Sequence, residues 1–398
     1  VIAADRPGRT SAKLLTVDTG GAFRHLQRGD LATLFDPGDL VVANDAATLP
    51  ASLFGTHAPS GQPVEARLAA WESLDDPTRF VAVMFGAGDH RTHTEDRPPP
   101  PPLARGERLL LGRLEATVER VLDHPRLVAL RFAGSGERVL AAIARQGRPI
   151  QYAHVPEPLA LWDMWTRIAA RPIAFEPPSA GFALDWRTLA AWRARGVGFA
   201  TLTHAAGISS TGDPTLDRRL PFDEPYCIPP ATTAAIDRTR AAGGRVVAVG
   251  TTVVRALESA ADVTGCVRPG DGIATQRIGA GTELHVVDAI LSGVHAPGES
   301  HFELLRAFAP DDMLDRLTAA AAADGYCAHE FGDSVLIARR DCEGKAVARR
   351  PRRSRVLPHR IDGGGGPPKA VEAAASVHGT GRRPLHHASH GPPPPLRG

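Results

Sequence analysis

Apolar and polar positions fall into three successive rhythms along the chain. From Lys13 to Asp45 short apolar runs are broken by turn residues. The pattern predicts a hairpin through Gly20-Gly21, a short helix after Asp30 and a buried strand from Asp39 to Ala43, closed by Asn44-Asp45. Between residues 52 and 148 the segments "PVEARLAAW", "RFVAVMF", "RLEATVERVL" and "RLVALRF" alternate with the period of strands, and Pro98 to Pro102 form a stiff exposed connection. A small antiparallel β-barrel inserted into a larger unit is expected there.

Beyond the insert, helical periodicity alternates with short apolar runs. Helices are expected from Leu159 to Ala170 and from Trp186 to Arg195, the second capped by Asp185 and stopped at Gly196. The strand "VGFATLTH", the helix "PATTAAIDRTRAAGG", the strand "RVVAVG" and the helix "TVVRALESAA" follow, then "TELHVVDAIL" as a strand, two helices between His301 and Ala323, and a closing strand "DSVLIAR". Such alternation implies an α/β fold, a mostly parallel sheet covered by helices. From about Asp341 the chain turns to Arg, Pro and Gly ("ARRPRRSR", "GGGGPP", "GPPPPLRG"), a composition expected to be disordered. The domains expected are an α/β unit from 1–51 and 149–340, the barrel from 52–148 and a basic tail from 341–398.

Composition narrows the class. Of 398 residues 43% are hydrophobic and 23% charged, and no apolar run approaches the roughly 20 residues that span a bilayer. The opening "VIAADRPGRT" lacks the apolar core of a signal peptide, and Cys227, Cys266, Cys327 and Cys342 are scattered without C-x-x-C spacing. A cytoplasmic protein with structural thiols, and neither a zinc cluster nor a disulfide framework, is therefore expected. The net charge of +2 hides an asymmetry: from Lys345 onward eleven Lys or Arg face only Asp362 and Glu372, which leaves about −7 for the rest. The globular part is mildly acidic, unlike a protein dominated by a basic groove.

The chemistry-bearing residues recur at expected strand ends: Asn44-Asp45, Thr203-His204, Gly250-Thr251-Thr252 and Gly293-Val294-His295. Carboxyl ends of parallel strands converge on one crevice, so these segments are expected to line a single pocket. Gly250-Thr251-Thr252 opens the helix carrying Arg255 and Glu258, and a helix start at a strand end is a polar-ligand site. Taken alone, each has a plainer use. The threonines can cap the helix, Arg255 and Glu258 can form a solvated pair, His204 can bond a backbone carbonyl, and Glu299 and Ser300 can cap the next helix. No P-loop, G-x-G-x-x-G, H-E-x-x-H or G-x-S-x-G motif is present.

The order "VVANDAATLPASLFG", a strand-rich insert, "PPSAGFALDW", "VGFATLTHAAG", "AVGTTVVRALES", "DAILSGVHAPGES" and "EFGDSVLI" resembles the S-adenosylmethionine:tRNA ribosyltransferase-isomerases of queuosine biosynthesis over roughly residues 8–340. The resemblance implies a monomeric α/β enzyme with an inserted barrel. It would need no metal, use S-adenosylmethionine as co-substrate and act on 7-aminomethyl-7-deazaguanine in tRNA, giving epoxyqueuosine. It further implies His204, His295 and Glu258 as catalytic residues, and Asn44, Asp45, Gly250, Thr251, Thr252, Arg255 and Ser300 as contacts to S-adenosylmethionine, with Arg255 on the methionine carboxylate. Gly332 and Asp333 match directly. Around His204 the chain has "HAAGISST" and further on "FDEPYCI", keeping Glu224, whereas the Gly-Thr-Thr segment is intact. Two other readings stay open here: a divergent relative using S-adenosylmethionine with a small-molecule acceptor, and a non-catalytic nucleotide-binding protein.

Overall fold

The first apolar run forms Lys13–Val17 (β1), which turns back through Gly20-Gly21 to Phe23–Gln27 (β2). In the computed structural model, which describes residues 1–9 and 11–339, a 3-10 turn over Arg28–Thr33 follows. It begins ahead of Asp30 because the Asp30 carboxylate accepts the Gln27 N–H at 2.9 Å. Leu40–Asn44 (β3) is buried at every position. The tail expected from residue 341 lies outside the described residues.

The insert is a closed barrel. Ser52–His57 (β4), Pro63–Trp71 (β5), Arg79–Phe85 (β6), Arg108–Leu111 (β7), Leu114–Val121 (β8) and Leu127–Phe132 (β9) pair antiparallel in the order β8-β9-β6-β5-β4-β7. Alternate residues turn inward, where the Trp71 and Phe80 rings sit 4.8 Å apart over Phe175. Strands β4 and β7 and the helix Gly136–Gln146 (α1) were not among the expected elements. Ser52 and Arg148 exchange two backbone hydrogen bonds of 2.9 Å, so the chain enters and leaves the insert at one point.

No helix covers Leu159–Ala170; only a 3-10 turn, Leu161–Met164, forms there. The segment's donors go elsewhere. Trp165 Nε1 reaches the Thr48 carbonyl at 2.9 Å and the Ala170 N–H reaches Asp45 at 2.8 Å, after which Arg171–Ala174 pairs in parallel with Ala46–Thr48. Docking to the strand thus displaces the i−4 ladder that the spacing suggested.

The second half builds the main sheet. Its elements are Trp186–Ala194 (α2, capped by the Asp185 carboxylate), Gly198–His204 (β10), Glu224–Ile228 (β11), Pro230–Ala241 (α3), Val246–Val249 (β12) and Thr251–Ala260 (α4). They continue with Gly270–Ala274 (β13), Ala289–Gly293 (β14), Ser300–Leu305 (α5), Asp311–Ala323 (α6) and Ser334–Ala338 (β15). The nine strands run β13-β11-β10-β3-β12-β14-β15-β1-β2. Strands β10, β3, β12 and β14 are parallel, and the antiparallel pairs lie toward the two flanks. The fold is α/β with an antiparallel barrel, as expected.

Central strands buried on both faces require unbroken apolar runs, and β3 and β12 supply them. Leu40 and Val42 face a core closed by α3 to α6, whereas Val41 and Ala43 face a second core with Trp192 of α2. Burial of each such side chain stabilises the fold by about 1.5–3 kcal/mol. "TELHVVDAIL" is strand only from Ala289, because the N–H groups of His285, Val286 and Val287 bond the Glu258 carboxylate instead of a neighbouring strand. Among the described residues no helix is long and apolar enough to cross a membrane.

Candidate active site

Four adjacent parallel strands bring their carboxyl ends to one edge of the sheet, and a cavity of about 570 Å³ opens beyond it. Its floor is the strand-to-helix turn between β12 and α4. Gly250 holds φ at +93°, a left-handed conformation that side chains resist, and its N–H bonds Leu291 at 2.8 Å. Thr251 and Thr252 then line the cavity at the helix start, where N–H groups lack intrahelical partners.

One wall carries stacked imidazoles. The His295 and His301 rings lie 4.7 Å apart at 16°, and His295 Nδ1 is 3.4 Å from Glu299 Oε2. Burial would raise the Glu299 carboxyl, but the neighbouring His295 outweighs it and holds Glu299 below the usual range. Burial, with His295 nearby, pushes His301 down to about 3, so that ring stays neutral. Ser300 begins α5 on the same wall. Beside it His154 stacks on His329 at 4.6 Å and sits 2.9 Å from Glu330 Oε2.

The other wall carries Tyr152, Glu176, Ser209 and Ser210. Tyr152 Oη donates to Glu176 Oε1 at 2.5 Å, and the Ser209 N–H donates to Oε2 at 3.1 Å. Burial pushes Glu176 up to about 7, against the lowering effect of these donors. The barrel reaches this region through His93, Thr94 and Glu95. Gly212, at φ +68°, lets Thr94 approach so closely that a Cβ there would stand 2.4 Å from the Thr94 carbonyl carbon.

Several expected site residues stand one layer behind the cavity. His204 is fully buried and its ring nitrogens make no hydrogen bond; Nε2 lies 3.5 Å from Glu224 Oε2, and it is Glu224 that lines the cavity. Burial, then the charge of Arg255, lowers His204 to about 3. Asn44 bridges strands: Nδ2 donates to the His204 carbonyl at 2.9 Å, and Oδ1 accepts the N–H groups of His204 at 2.9 Å and Ala46 at 3.0 Å. The Asp45 carboxylate accepts the Thr203 hydroxyl at 2.7 Å, away from the cavity lining.

Glu258 is also absent from that lining, since its two oxygens accept the three backbone N–H groups of residues 285–287. Arg255 reaches the cavity edge with its guanidinium already occupied. Nη1 pairs with Glu224, Nη2 bonds the Phe222 and Ala274 carbonyls, and Nε bonds Gln276. It is placed to anchor Glu224 rather than a substrate carboxylate. Burial nevertheless pushes Glu224 up, against the pull of Arg255. Of the expected residues, the cavity brings together Gly250, Thr251, Thr252, Arg255, His295 and Ser300. Among the described residues no group of three or more His, Cys, Asp or Glu could hold a metal ion.

A family model described as "Queuosine biosynthesis protein" matches residues 2–337. The chain belongs to this family. It is 33% identical to the S-adenosylmethionine:tRNA ribosyltransferase-isomerase of Gluconacetobacter diazotrophicus, over 86% of this chain and 94% of that protein. Those of Rhodospirillum rubrum (33%, covering 83% and 92%) and Gloeobacter violaceus (34%, covering 83% and 90%) are similar to it as well. A solved S-adenosylmethionine tRNA ribosyltransferase from Thermotoga maritima is 22% identical, covering 84% of this chain and 96% of that one, with a TM-score of 0.44.

In this queuosine-family chain, Tyr152, His154, Glu176, His301, His329 and Glu330 line the cavity without having been singled out in the sequence. For Glu176 a signal was available. It is the one acidic residue in the apolar stretch "PIAFEPPSAG", where an ionisable side chain is costly to bury without a role. His154, His329 and Glu330 sit in turns and bends and His301 in the first turn of α5, and nothing in their spacing indicates a common wall.

Proposed function

We propose that the chain is an S-adenosylmethionine:tRNA ribosyltransferase-isomerase. It transfers and isomerises the ribosyl group of S-adenosylmethionine onto 7-aminomethyl-7-deazaguanine in tRNA, giving epoxyqueuosine with release of adenine and methionine. The observation that carries the residue assignments is that Gly250, Thr251, Thr252, His295 and Ser300, from segments matching the family, line one cavity. The form proposed is a monomer acting on tRNA in the cytoplasm.

His295 is the proposed general base. A sulfonium acidifies the adjacent C5' hydrogens, and a neutral imidazole on the cavity wall can take one while Glu299, 3.4 Å away, stabilises the imidazolium that results. The electron pair left behind lets adenine depart. His301 is neutral and stacked beneath, so it adds no opposing charge. The α4 start at Gly250–Thr252 suits the methionine carboxylate, by its unpaired N–H groups and the threonine hydroxyls. Arg255, through Glu224, and Asn44 and His204 behind it act as positioning residues, and Glu258 fixes the 285–287 segment.

The test is turnover. Enzyme, labelled S-adenosylmethionine and tRNA bearing 7-aminomethyl-7-deazaguanine should give free adenine and a labelled base in equal amounts; production of neither sinks the reading. His295→Ala should lower kcat by about 10²–10⁴-fold, the range of a lost general base, with S-adenosylmethionine affinity retained by calorimetry.

A further inference from the structure

Glu176 differs from the other buried carboxylates around it. Glu65 lies between Arg67 and Arg97, Glu224 pairs with Arg255, and Glu330 pairs with His154. Glu258 accepts three backbone N–H groups. Glu176, only 6% exposed, has no cationic partner within ion-pair distance among the described residues, yet it lines the cavity. Its hydrogen-bond donors are all neutral: the Tyr152 hydroxyl, the Ser209 N–H and the Ser209 side chain. An ionised carboxylate accepts about four, so acceptor capacity remains on a buried, unpaired anion. The complement to such a group is a small cation with N–H donors, and both substrates of the proposed reaction carry a primary ammonium. One is the aminomethyl group of the acceptor base; the other is the α-amino group of the methionine moiety.

Resting on the proposed reaction, we infer that Glu176 forms the subsite for the acceptor's aminomethyl group and takes the proton that must leave before that nitrogen can attack. The acceptor is favoured because the Glu176 wall is the one the barrel reaches through His93, Thr94 and Glu95, whereas the Gly250–Thr252 helix start and Ser300 already suit the amino-acid end of S-adenosylmethionine. An amine arrives at neutral pH as –CH2–NH3+ and is not nucleophilic in that form. One N–H proton passes to a Glu176 oxygen, the bonding pair stays on nitrogen as its lone pair, and Glu176 becomes a neutral acid that returns the proton to solvent before the next turnover. Burial has already brought the carboxyl up to about 7, close to the range where a group can both accept and release a proton.

The surroundings fit that use. Glu330 raises Glu176 further by its charge, and Tyr152 is its other close titratable neighbour. His154 and His329 stand beside Glu330. Glu224 with Arg255 lies in the same lining, and His93 and Glu95 face in from the barrel. Tyr152, pushed well above its ordinary value by burial and then by Glu176, remains a hydrogen-bond donor throughout.

The experiment compares wild type, Glu176→Gln and Tyr152→Phe. Glu176→Gln should lower kcat/KM for the modified tRNA by about 100-fold, leave S-adenosylmethionine affinity unchanged in calorimetry, and abolish the rise in rate with pH near neutrality. Tyr152→Phe keeps the carboxylate but removes a donor to its charged form, so the same limb should move to higher pH; this arm decides the matter if the Gln variant does not fold. A loss confined to S-adenosylmethionine affinity overturns the assignment in favour of the methionine ammonium. Unchanged rates and an unmoved pH limb overturn it outright. If the wild type itself gives no adenine, it is the proposed reaction that fails, whatever the variants do.

Discussion

Glu258 and Glu176 are buried to a similar degree, at 8% and 6% exposure, and stand on opposite sides of the line between architecture and chemistry. The region around Glu258 uses the carboxylate in place of a missing strand: three consecutive N–H groups, at 2.8, 3.1 and 3.0 Å, end on its oxygens and hold the 285–287 segment against α4. The region around Glu176 gives its carboxylate only neutral donors, from Tyr152 and Ser209, and leaves it on the wall of a cavity. The lesson is that burial alone does not mark a functional acid. What separates the two is whether the carboxylate ends a run of backbone donors or lines the cavity.

The largest effect that could break this contrast is at Glu258. Glu258→Ala strands three backbone donors, each costing about 1–3 kcal/mol when unsatisfied, so urea denaturation should show a loss of about 3 kcal/mol or more. A variant as stable as wild type would mean the carboxylate is not what holds the segment.

The pH dependence of stability sharpens the other side. Glu176 is raised from an ordinary value of 4.5 to about 7 in the folded state, so the native protein holds that proton more tightly than the unfolded chain does. The resulting stabilisation is complete below pH 4.5 and disappears as pH climbs toward 7, an effect on the order of 3 kcal/mol. Wild type minus Glu176→Gln, measured at each pH, should fall by that amount across this window. His204 and His301, both lowered to about 3, destabilise the fold as pH drops below 6.5, but equally in both proteins. A flat difference curve would show that Glu176 ionises as if exposed.

The smallest effect concerns the cavity floor. Gly250→Ala places a side chain at φ +93° with its Cβ 3.4 Å from Ala180 Cβ, which should cost about 1–2 kcal/mol in thermal or denaturant stability. It should also weaken S-adenosylmethionine binding. Full stability with full affinity would remove the helix start from the proposed site.

Much of the fold was legible because its core strands are unambiguous in pattern. Val246–Val249 and Leu40 to Ala43 are apolar without interruption and lie at the sheet's centre, and four alternating segments signalled the barrel. Sequence pattern failed where a side chain substituted for regular pairing. Val286 and Val287 look like strand but bond Glu258, and the helical spacing at Leu159–Ala170 gives way to docking on Ala46–Thr48. Edge strands such as Gly270–Ala274, mostly exposed and built from two glycines around one aspartate before Ile273 and Ala274, carry little pattern at all.

For the site, convergence of strand ends was foreseeable, but depth was not. Asn44, His204 and Thr251 share an edge, yet only Thr251 lines the cavity, because Glu224 and the segment after His204 cover the others. A one-dimensional pattern tells which end of a strand a residue occupies and nothing about what lies over it.

The carboxamide of Asn44 impersonates a peptide group. By exchanging both kinds of bond with His204 and catching the N–H of Ala46, it adds a rung beyond the last residue of β3 and sets the direction in which the main chain departs for the barrel. That departing chain is then held twice more before the barrel begins, by its parallel pairing with Arg171–Ala174 and by the two bonds between Ser52 and Arg148, so one carboxamide starts a course that backbone pairing completes.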